Sequence, residues 1–228
     1  MKKFLLLGGL TLVMAAPTAS AQQAAAPAPK QPMSFFVTSV GAGKGTGNLG
    51  GIAGADKHCQ ALAQAAGAGN KTWHAYLSTQ AKNGQPAVNA RDRIGKGPWY
   101  NAEGGLIAKD LAELQGDTLE LARKGNMISK RSALTETGGR PNSSEENPSH
   151  HDIFTGTQLD GTAFTDADDH TCNNWTSADP KAHARIGHFD RMSNSSTSWV
   201  SAHETDGCDV PGVLKRGGGG LNYCFAID

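Results

Sequence analysis

The sequence predicts one loop-rich globular domain of the α+β class, and three observations support this prediction. Strand-like segments lie near the start and at the end of the chain, an alanine-rich segment has helical spacing, and 29 glycines accompany long polar stretches. The glycines follow no three-residue period, which excludes a collagen-like chain. Enough large apolar residues remain to build a core.

The first three elements follow from hydrophobic patterning. Residues 34–40 are β-branched and aromatic, which predicts a strand, and a glycine-rich turn follows them. Residues 53–66 carry apolar side chains at helical spacing, and Gly67 stands where a helix-ending glycine belongs. Residues 72–78 alternate apolar and polar side chains, which is typical of a strand.

The rest of the chain is more polar. Residues 107–114 predict a short helix, and residues 221–227 predict the last strand. We expect the first and last strands to be neighbours in one sheet. Residues 135–152 carry almost no apolar side chains, which predicts a long surface loop, and such loops are often functional.

The N-terminus has the pattern of a secretory signal. Lys2 and Lys3 precede an apolar run over residues 4–16, and Ala-Ser-Ala at 19–21 predicts cleavage after Ala21. The run is too short for a membrane span. Residues 22–32 are rich in Ala, Pro and Gln and predict a flexible linker. The folded domain is therefore expected over residues 33–228, in a secreted or periplasmic protein.

Charge and cysteine content narrow the possible classes of protein further. The chain has 21 basic and 21 acidic residues, so it lacks the basic surface that nucleic acid or an anionic membrane requires. An even number of cysteines in an exported chain predicts two disulfides, with three pairings open. No pair has the CxxC spacing of a redox or zinc-ribbon site. The four cysteines are Cys59, Cys172, Cys208 and Cys224.

Several short motifs resemble, in order, the endostatin-type branch of the C-type lectin-like fold and secreted bacterial proteins labelled lectins. They are LGGIAGAD at 49–56, AYLS at 75–78, DGT at 160–162, TCNNWT at 171–176, GC at 207–208 and YCFA at 223–226. The resemblance covers residues 34–228. It implies a twisted antiparallel sheet flanked by helices with a long polar loop, and disulfides Cys59–Cys224 and Cys172–Cys208.

The same resemblance implies a non-catalytic carbohydrate-binding protein whose partner is a glycan or another cell-envelope surface component. The alternatives are an envelope protein-interaction or adhesion domain without sugar binding and, less favoured, a metal-dependent hydrolase. The Glu-Pro-Asn, Gln-Pro-Asp and Trp-Asn-Asp triplets of calcium-dependent lectins are absent, which argues against their calcium-bridged sugar site. No nucleophile elbow, phosphate loop or dinucleotide fingerprint occurs either.

The sugar-binding face is expected on the long loop and on the turns that follow it. Tryptophan can stack on a sugar ring, and amide and carboxylate groups bind hydroxyls. The candidate carbohydrate-binding residues are Glu146, Asn147, His151, Asp152, Trp199, His203 and Glu204. Trp99 is a further open candidate for stacking, whereas Trp73 and Trp175 are expected in the core. Further amide candidates are Asn101, Asn142, Asn173, Asn174 and Asn194.

Two clusters suggest metal ligands. Four aspartates in one glycine- and threonine-rich segment offer the hard oxygens that calcium prefers, although the spacing is not that of an EF-hand. These candidate calcium ligands are Asp160, Asp166, Asp168 and Asp169. Six of the eight histidines follow residue 149, and Asp152, Asp190 or Glu204 can complete a transition-metal site with them. Those histidines are His150, His151, His170, His183, His188 and His203.

Overall fold

The computed structural model describes residues 29–115, 125–193 and 196–228. The predicted signal segment, residues 1–21, lies outside the described residues, as do residues 22–28 of the predicted linker and the amide candidate Asn194. The remaining linker residues, 29–32, are exposed and have no regular secondary structure. The first strand begins at Phe35.

The described residues form a mixed α+β structure. Its strands are β1 Phe35–Val37, β2 Trp73–Ala75, β3 Trp99–Tyr100, β4 Leu106–Ala108, β5 Asp152–Phe154, β6 Arg185–His188, β7 His203–Glu204 and β8 Gly218–Ala226. Its helices are α1 Gly51–Ala65, α2 Leu111–Gln115 and α3 Val210–Leu214, with 3-10 turns at Ala42–Gly45 and Ala90–Asp92. Cys172–Trp175 forms a single left-handed turn.

The main sheet of the described residues has the order β1-β8-β5-β6-β7, and β2 also pairs with β8. The expectation that the first and last strands are neighbours is confirmed, because Phe36 lies opposite Cys224. The expected antiparallel sheet is corrected at one pairing, since β5 pairs with β8 in parallel, whereas the other pairings of this sheet are antiparallel. More than sixty residues separate the two strands, so the connection is long enough for the crossover that a parallel pair requires.

Helix α1 packs one face on the sheet. Its buried residues are Ala55, Cys59 and Ala63, spaced four apart, so they lie on one face of the helix. These small side chains let the helix lie close to β2 and β8. The helix begins two residues before the predicted segment and ends at Ala65, next to the predicted end.

The prediction of a helix over residues 107–114 is wrong for the first half of this segment. Leu106–Ala108 is a strand paired with Trp99–Tyr100, and only Leu111–Gln115 is helical. Asp110 explains the boundary, because its Oδ1 accepts a hydrogen bond from the Glu113 N–H at 2.8 Å, as a helix-capping residue does.

The two disulfides are Cys59–Cys224 and Cys172–Cys208, the pairing that the resemblance implies. The first joins α1 to β8, and the second joins the left-handed turn to the segment before α3. The predicted long loop has no regular element before Asp152, where β5 begins. Parts of it are buried, however, including Ser143 and His151. That burial brings the end of the loop into the site described next.

Candidate functional site

A polar pocket of about 330 Å³ opens between a hairpin at residues 79–88 and the segment over residues 164–174. Seven of its thirteen lining residues carry amide, carboxylate or ammonium groups, and the others are alanines, threonines and one phenylalanine. The lining residues used below are Gln80, Lys82, Phe164, Asp169, Asn173 and Asn174. This pocket has the concave shape and the converging polar groups expected of a small-molecule site.

The hairpin wall is built by a two-residue turn. Asn83 and Gly84 both have positive φ, at 52° and 77°, and Lys82 pairs with Gln85 across them. Asn-Gly is the residue pair that this turn favours, because both residues adopt left-handed conformations at low cost. The sequence therefore carried a signal for this wall that the patterning analysis missed.

The opposite wall is the left-handed turn. Cys172, Asn173, Asn174 and Trp175 have φ values of 47°, 55°, 54° and 66°. Residues other than Gly rarely adopt this backbone conformation. Four consecutive residues keep it only where the surrounding structure enforces it. The Cys172–Cys208 disulfide fixes one end. At the other end, the buried Trp175 donates from Nε1 to the Ser78 carbonyl at 2.7 Å.

Asn174 ties the two walls together. Its Oδ1 accepts the Gln80 N–H at 2.9 Å, and its Nδ2 donates to the Gln80 carbonyl at 3.0 Å. Lys82 Nζ also bonds Asn173 Oδ1 across the pocket. The pocket walls are thereby held together before any ligand binds, which reduces the entropy that binding costs.

The four candidate calcium aspartates do not converge. Asp160 lies apart from the pocket, where its Oδ1 accepts from Thr162 and its Oδ2 lies 3.4 Å from Arg91. Burial acts to raise the pKa of Asp160, but these hydrogen bonds and the charge of Arg91 lower it further than burial raises it. Asp169 accepts N–H groups of Thr171 and Asn173.

Asp166 and Asp168 are exposed at the rim of the pocket, and Asp166 Oδ1 lies 3.0 Å from His170 Nε2. Across the described residues, a single group of three or more His, Cys, Asp and Glu side chains has its ligand atoms within 4.8 Å of one another. That group is His151, Asp152 and His188 rather than the aspartates.

This histidine–carboxylate centre lies where three strands meet. Register places Asp152 of β5 opposite His188 of β6, and Ile186 opposite His203 of β7. Because directly paired residues and residues two apart share a face, all of these side chains are on one side of the sheet. His151 completes the group from the end of the long loop, with its ring stacked on His188 at 4.3 Å.

The Nε2 atoms of three histidines surround one carboxylate oxygen. Asp152 Oδ1 lies 3.2 Å from His151, 3.2 Å from His188 and 3.7 Å from His203. The two Nε2 atoms of His188 and His203 are 3.1 Å apart. His151, Asp152 and His188 are buried, whereas 23% of the His203 side chain is exposed. His203 therefore forms the solvent side of the centre.

A second layer of groups orients the rings. His188 Nδ1 lies 2.9 Å from the Ser196 carbonyl, and His203 Nδ1 lies 2.9 Å from the Glu204 carbonyl. His151 Nδ1 lies 3.3 Å from Asp190 Oδ1. These partners leave each Nε2 directed at the centre, which is the arrangement seen around metal-bound histidines.

Asp190 and His151 shift each other's pKa values. Burial acts to raise the pKa of Asp190, but hydrogen bonds from His151 and from the N–H groups of Ser144 and Met192 bring it down to about 2. Burial likewise acts to lower the pKa of His151. The hydrogen bond to Asp190 and the charge of Asp152 outweigh burial, so the pKa of His151 is raised. Ser144 also links this pair to the long loop, since its N–H lies 2.8 Å from Asp190 Oδ2.

The other candidate carbohydrate residues are dispersed. Glu146 and Asn147 are exposed on the long loop. Glu204 Oε1 bonds His170 at 2.8 Å and lies 3.4 Å from Arg185, facing away from the histidine centre. The expectation that Trp199 is available for stacking is wrong, because the side chain is fully buried between Tyr76 and Tyr223.

The other tryptophans are buried as well. Trp99 is 1% exposed and packs on Phe225, which corrects its assignment as an open residue, and its Nε1 donates to the Ala226 carbonyl. Trp73 and Trp175 lie in the core, as expected. Sugar stacking on tryptophan is therefore excluded for all four residues.

No protein-family model matches the chain, and no curated protein matches it at a significant level. Within the part of the chain that the structure describes, no helix is both long and apolar enough to cross a membrane.

Proposed function

We propose that this chain is an exported, non-catalytic carbohydrate-binding protein with a C-type lectin-like fold, and that the polar pocket holds the sugar. The observation that carries this proposal is the pocket wall formed by the left-handed turn. That wall presents Asn173 and Asp169 from a backbone held rigid by a disulfide, a buried tryptophan and the Asn174–Gln80 hydrogen bonds.

The lining of the pocket suits hydroxylated ligands. Planar amides both donate and accept hydrogen bonds, ionised carboxylates accept them in pairs, and adjacent hydroxyls of a sugar present matching pairs. The volume of about 330 Å³ is at the lower end for small-molecule sites, which favours one or two sugar rings over an extended chain. The partly buried Phe164 supplies apolar contact, although its ring already stacks on His170 at 3.9 Å.

The charges of the pocket define the class of sugar. Asp166, Asp168 and Asp169 outnumber Lys82, so the pocket carries a negative excess. Like charges repel across such short distances. The ligand is therefore a neutral or amino-bearing sugar rather than a uronic or sialic acid. We expect the sugar to contact the protein directly, without a bridging calcium ion. The carboxylates of Asp166 and Asp169 already accept hydrogen bonds from the protein.

The fold and the location rest on converging support. The ordered sequence motifs, the paired first and last strands and the two disulfides agree with the C-type lectin-like expectation. Disulfides persist in oxidising compartments, which agrees with the signal pattern at the N-terminus. These two features together support the proposed secreted or periplasmic location.

A glycan array that holds neutral, amino-bearing and acidic sugars tests the function. We expect binding to neutral or amino-bearing sugars that persists in EGTA, which removes calcium. Asn173→Gly preserves the left-handed backbone and deletes the amide, and should weaken binding about tenfold, the value of one good hydrogen bond. The matched control is Asn83→Gly, another exposed asparagine with positive φ that does not line the pocket.

Two results would overturn the proposal. One is the absence of binding to every glycan class at high protein density. The other is sugar binding that Asn173→Gly and Asn83→Gly leave equally unchanged, because the sugar would then lie elsewhere.

A protein-interaction domain is the second candidate, and a different surface favours it. Val40, Val210 and Leu214 are 55%, 38% and 45% exposed and surround a groove of about 370 Å³ with Leu221. Adjacent exposed apolar side chains are typical of contact surfaces. Capture of one envelope protein, abolished by Leu214→Lys and unaffected by free sugars, would favour this candidate over the first.

A further inference from the structure

We propose that His151, Asp152, His188 and His203 form a binding site for one divalent transition-metal ion, with zinc as the best match. The site is separate from the polar pocket, and the proposal does not depend on carbohydrate binding.

The first argument concerns the protons of His188 and His203. Each Nδ1 lies 2.9 Å from a backbone carbonyl oxygen, which can only accept, so each Nδ1 carries the ring proton. A neutral imidazole has one such proton. When both rings are neutral, the two Nε2 atoms therefore present lone pairs to each other across 3.1 Å. Two facing lone pairs repel, and either a proton or a metal ion held between them removes this repulsion.

The second argument concerns Asp152. Its side chain is 1% exposed, and neither carboxylate oxygen receives a hydrogen bond in acceptable geometry. A buried carboxylate without a partner costs several kcal/mol, so such groups are paired or bind metals. A metal ion satisfies all four groups together.

Four of the six separations among these ligand atoms are close to those around a tetrahedral ion. Ligand atoms placed 2.0–2.1 Å from a tetrahedral zinc lie about 3.3–3.4 Å apart. The measured separations are 3.2 Å for two of the Nε2 to Asp152 Oδ1 pairs, 3.7 Å for the third and 3.1 Å between His188 and His203. These four pairs need shifts of a few tenths of an ångström. His203 lies outside the group whose ligand atoms are all within 4.8 Å of one another, and the His151 and His188 rings are stacked, so metal binding also requires the His151 ring to turn toward the other ligands.

The donor set selects the class of metal. Three imidazoles and one carboxylate suit zinc, copper(II), nickel and cobalt, whereas calcium and magnesium prefer oxygen ligands. No free thiol is present among the described residues to favour copper(I). Four protein ligands without an open position are typical of structural zinc sites. The ion can enter from the His203 side, which is 23% exposed.

A structural ion here would stabilise a part of the sheet that the disulfides do not reach. The Cys59–Cys224 bridge holds α1 on β8, whereas the metal would join β5, β6 and β7. Strand β7 is only two residues long and forms the edge of the main sheet. A metal ion bound by His203 would fasten this short edge strand.

Metal analysis of untagged full-length protein tests the proposal. Protein stripped with a chelator and dialysed should bind one zinc per chain by elemental analysis. At a free zinc concentration of about a hundred times the Kd, its Tm should rise by about 5 to 10 °C. Cobalt should give the visible absorption of a tetrahedral nitrogen and oxygen site.

Variants separate this site from adventitious binding. His188→Gln and His203→Gln should each reduce zinc affinity at least tenfold, and His203 is exposed enough for its variant to fold if His188→Gln does not. His170→Gln is the matched control, because His170 contacts Asp166 and Glu204 instead of the centre. Failure to bind any of zinc, nickel, copper(II) and cobalt, or zinc binding that His203→Gln leaves unchanged, would overturn the proposal.

Discussion

Arg93 donates from Nη2 to Oδ2 of Asp56 across 2.6 Å, in an ion pair whose side chains are only 10% and 21% exposed. Asp56 Oδ1 also accepts the Ala75 N–H at 2.9 Å, and Arg93 Nη1 bonds the Ala75 carbonyl. Asp56 and Arg93 therefore connect α1 and the segment after the hairpin to β2, because both side chains bind the backbone of Ala75.

Asp56→Ala should destabilise the domain by about 3 kcal/mol, because it leaves the Arg93 guanidinium buried without its counter-ion. Urea unfolding measures the change. The control is Glu145→Ala, which breaks the exposed Lys130–Glu145 pair and should cost less than about 1 kcal/mol. Equal losses for the two variants would show that burial does not distinguish these pairs.

Gly187→Ala should be among the most damaging small substitutions. A Cβ at Gly187 would lie 1.8 Å from the Trp199 carbonyl oxygen, so a backbone segment has to move. We expect a loss of about 3 kcal/mol or more, at the upper end for overpacking. Gly139→Ala serves as control, since its nearest neighbour is the Thr135 hydroxyl at 3.2 Å, and should cost under about 1 kcal/mol. Thermal or urea unfolding that ranks the two variants alike would contradict this assignment.

The two disulfides should contribute unequally to stability and to binding. Their sequence separations are 165 and 36 residues, and loop-closure entropy assigns them roughly 5 and roughly 4 kcal/mol. The paired variant Cys59→Ala/Cys224→Ala should therefore lose more stability in urea unfolding. Cys172→Ala/Cys208→Ala should instead weaken sugar binding more, because it frees one end of the left-handed turn. The reverse order in the binding assay would remove the turn from the binding site.

Acid should selectively weaken the contact at Asp206. Hydrogen bonds from Lys215 and Arg216 lower the pKa of Asp206 to about 2, below the ordinary value for aspartate of about 3.9. A lowered carboxyl pKa gives stability that is present above the unfolded value and is lost as the pH falls through the folded one. Asp206→Asn should thus lower the Tm at pH 6, and the gap to the parent should close between about pH 4 and pH 2. A gap that does not vary with pH would rule out this ion pair as its source.

Local patterning was sufficient for the elements whose side chains repeat with a clear period. Helix α1 and the pairing of the first and last strands belong to this group, because small and aromatic side chains on each define one buried face. The helix prediction for residues 107–114 failed in its first half because that part forms a strand with Trp99–Tyr100. No local pattern encodes this contact. The resemblance, rather than the spacing, selected the disulfide pairing.

The histidine centre shows why site residues are harder to predict than elements. The sequence identified His151, Asp152, His188 and His203 only among many polar candidates. The register of β5 on β6 decides which of them meet, since a slip of one residue would turn His188 to the opposite face. The prediction that Trp199 is available for sugar stacking failed because it also depended on contacts between distant residues. Composition cannot show that Tyr76 and Tyr223 enclose this side chain.

Strand β8 has a consequence for the order in which the protein is made. It pairs with β1, β2 and β5 and carries Cys224, the partner of Cys59, yet it is the last of these elements to be synthesised. A nascent chain that ends before Gly218 lacks the strand on which β1 and β2 pair, and Cys59 lacks its native partner Cys224. The joining of β1, β2 and β5 into one sheet and the closure of the longest covalent loop therefore wait until β8 has been made.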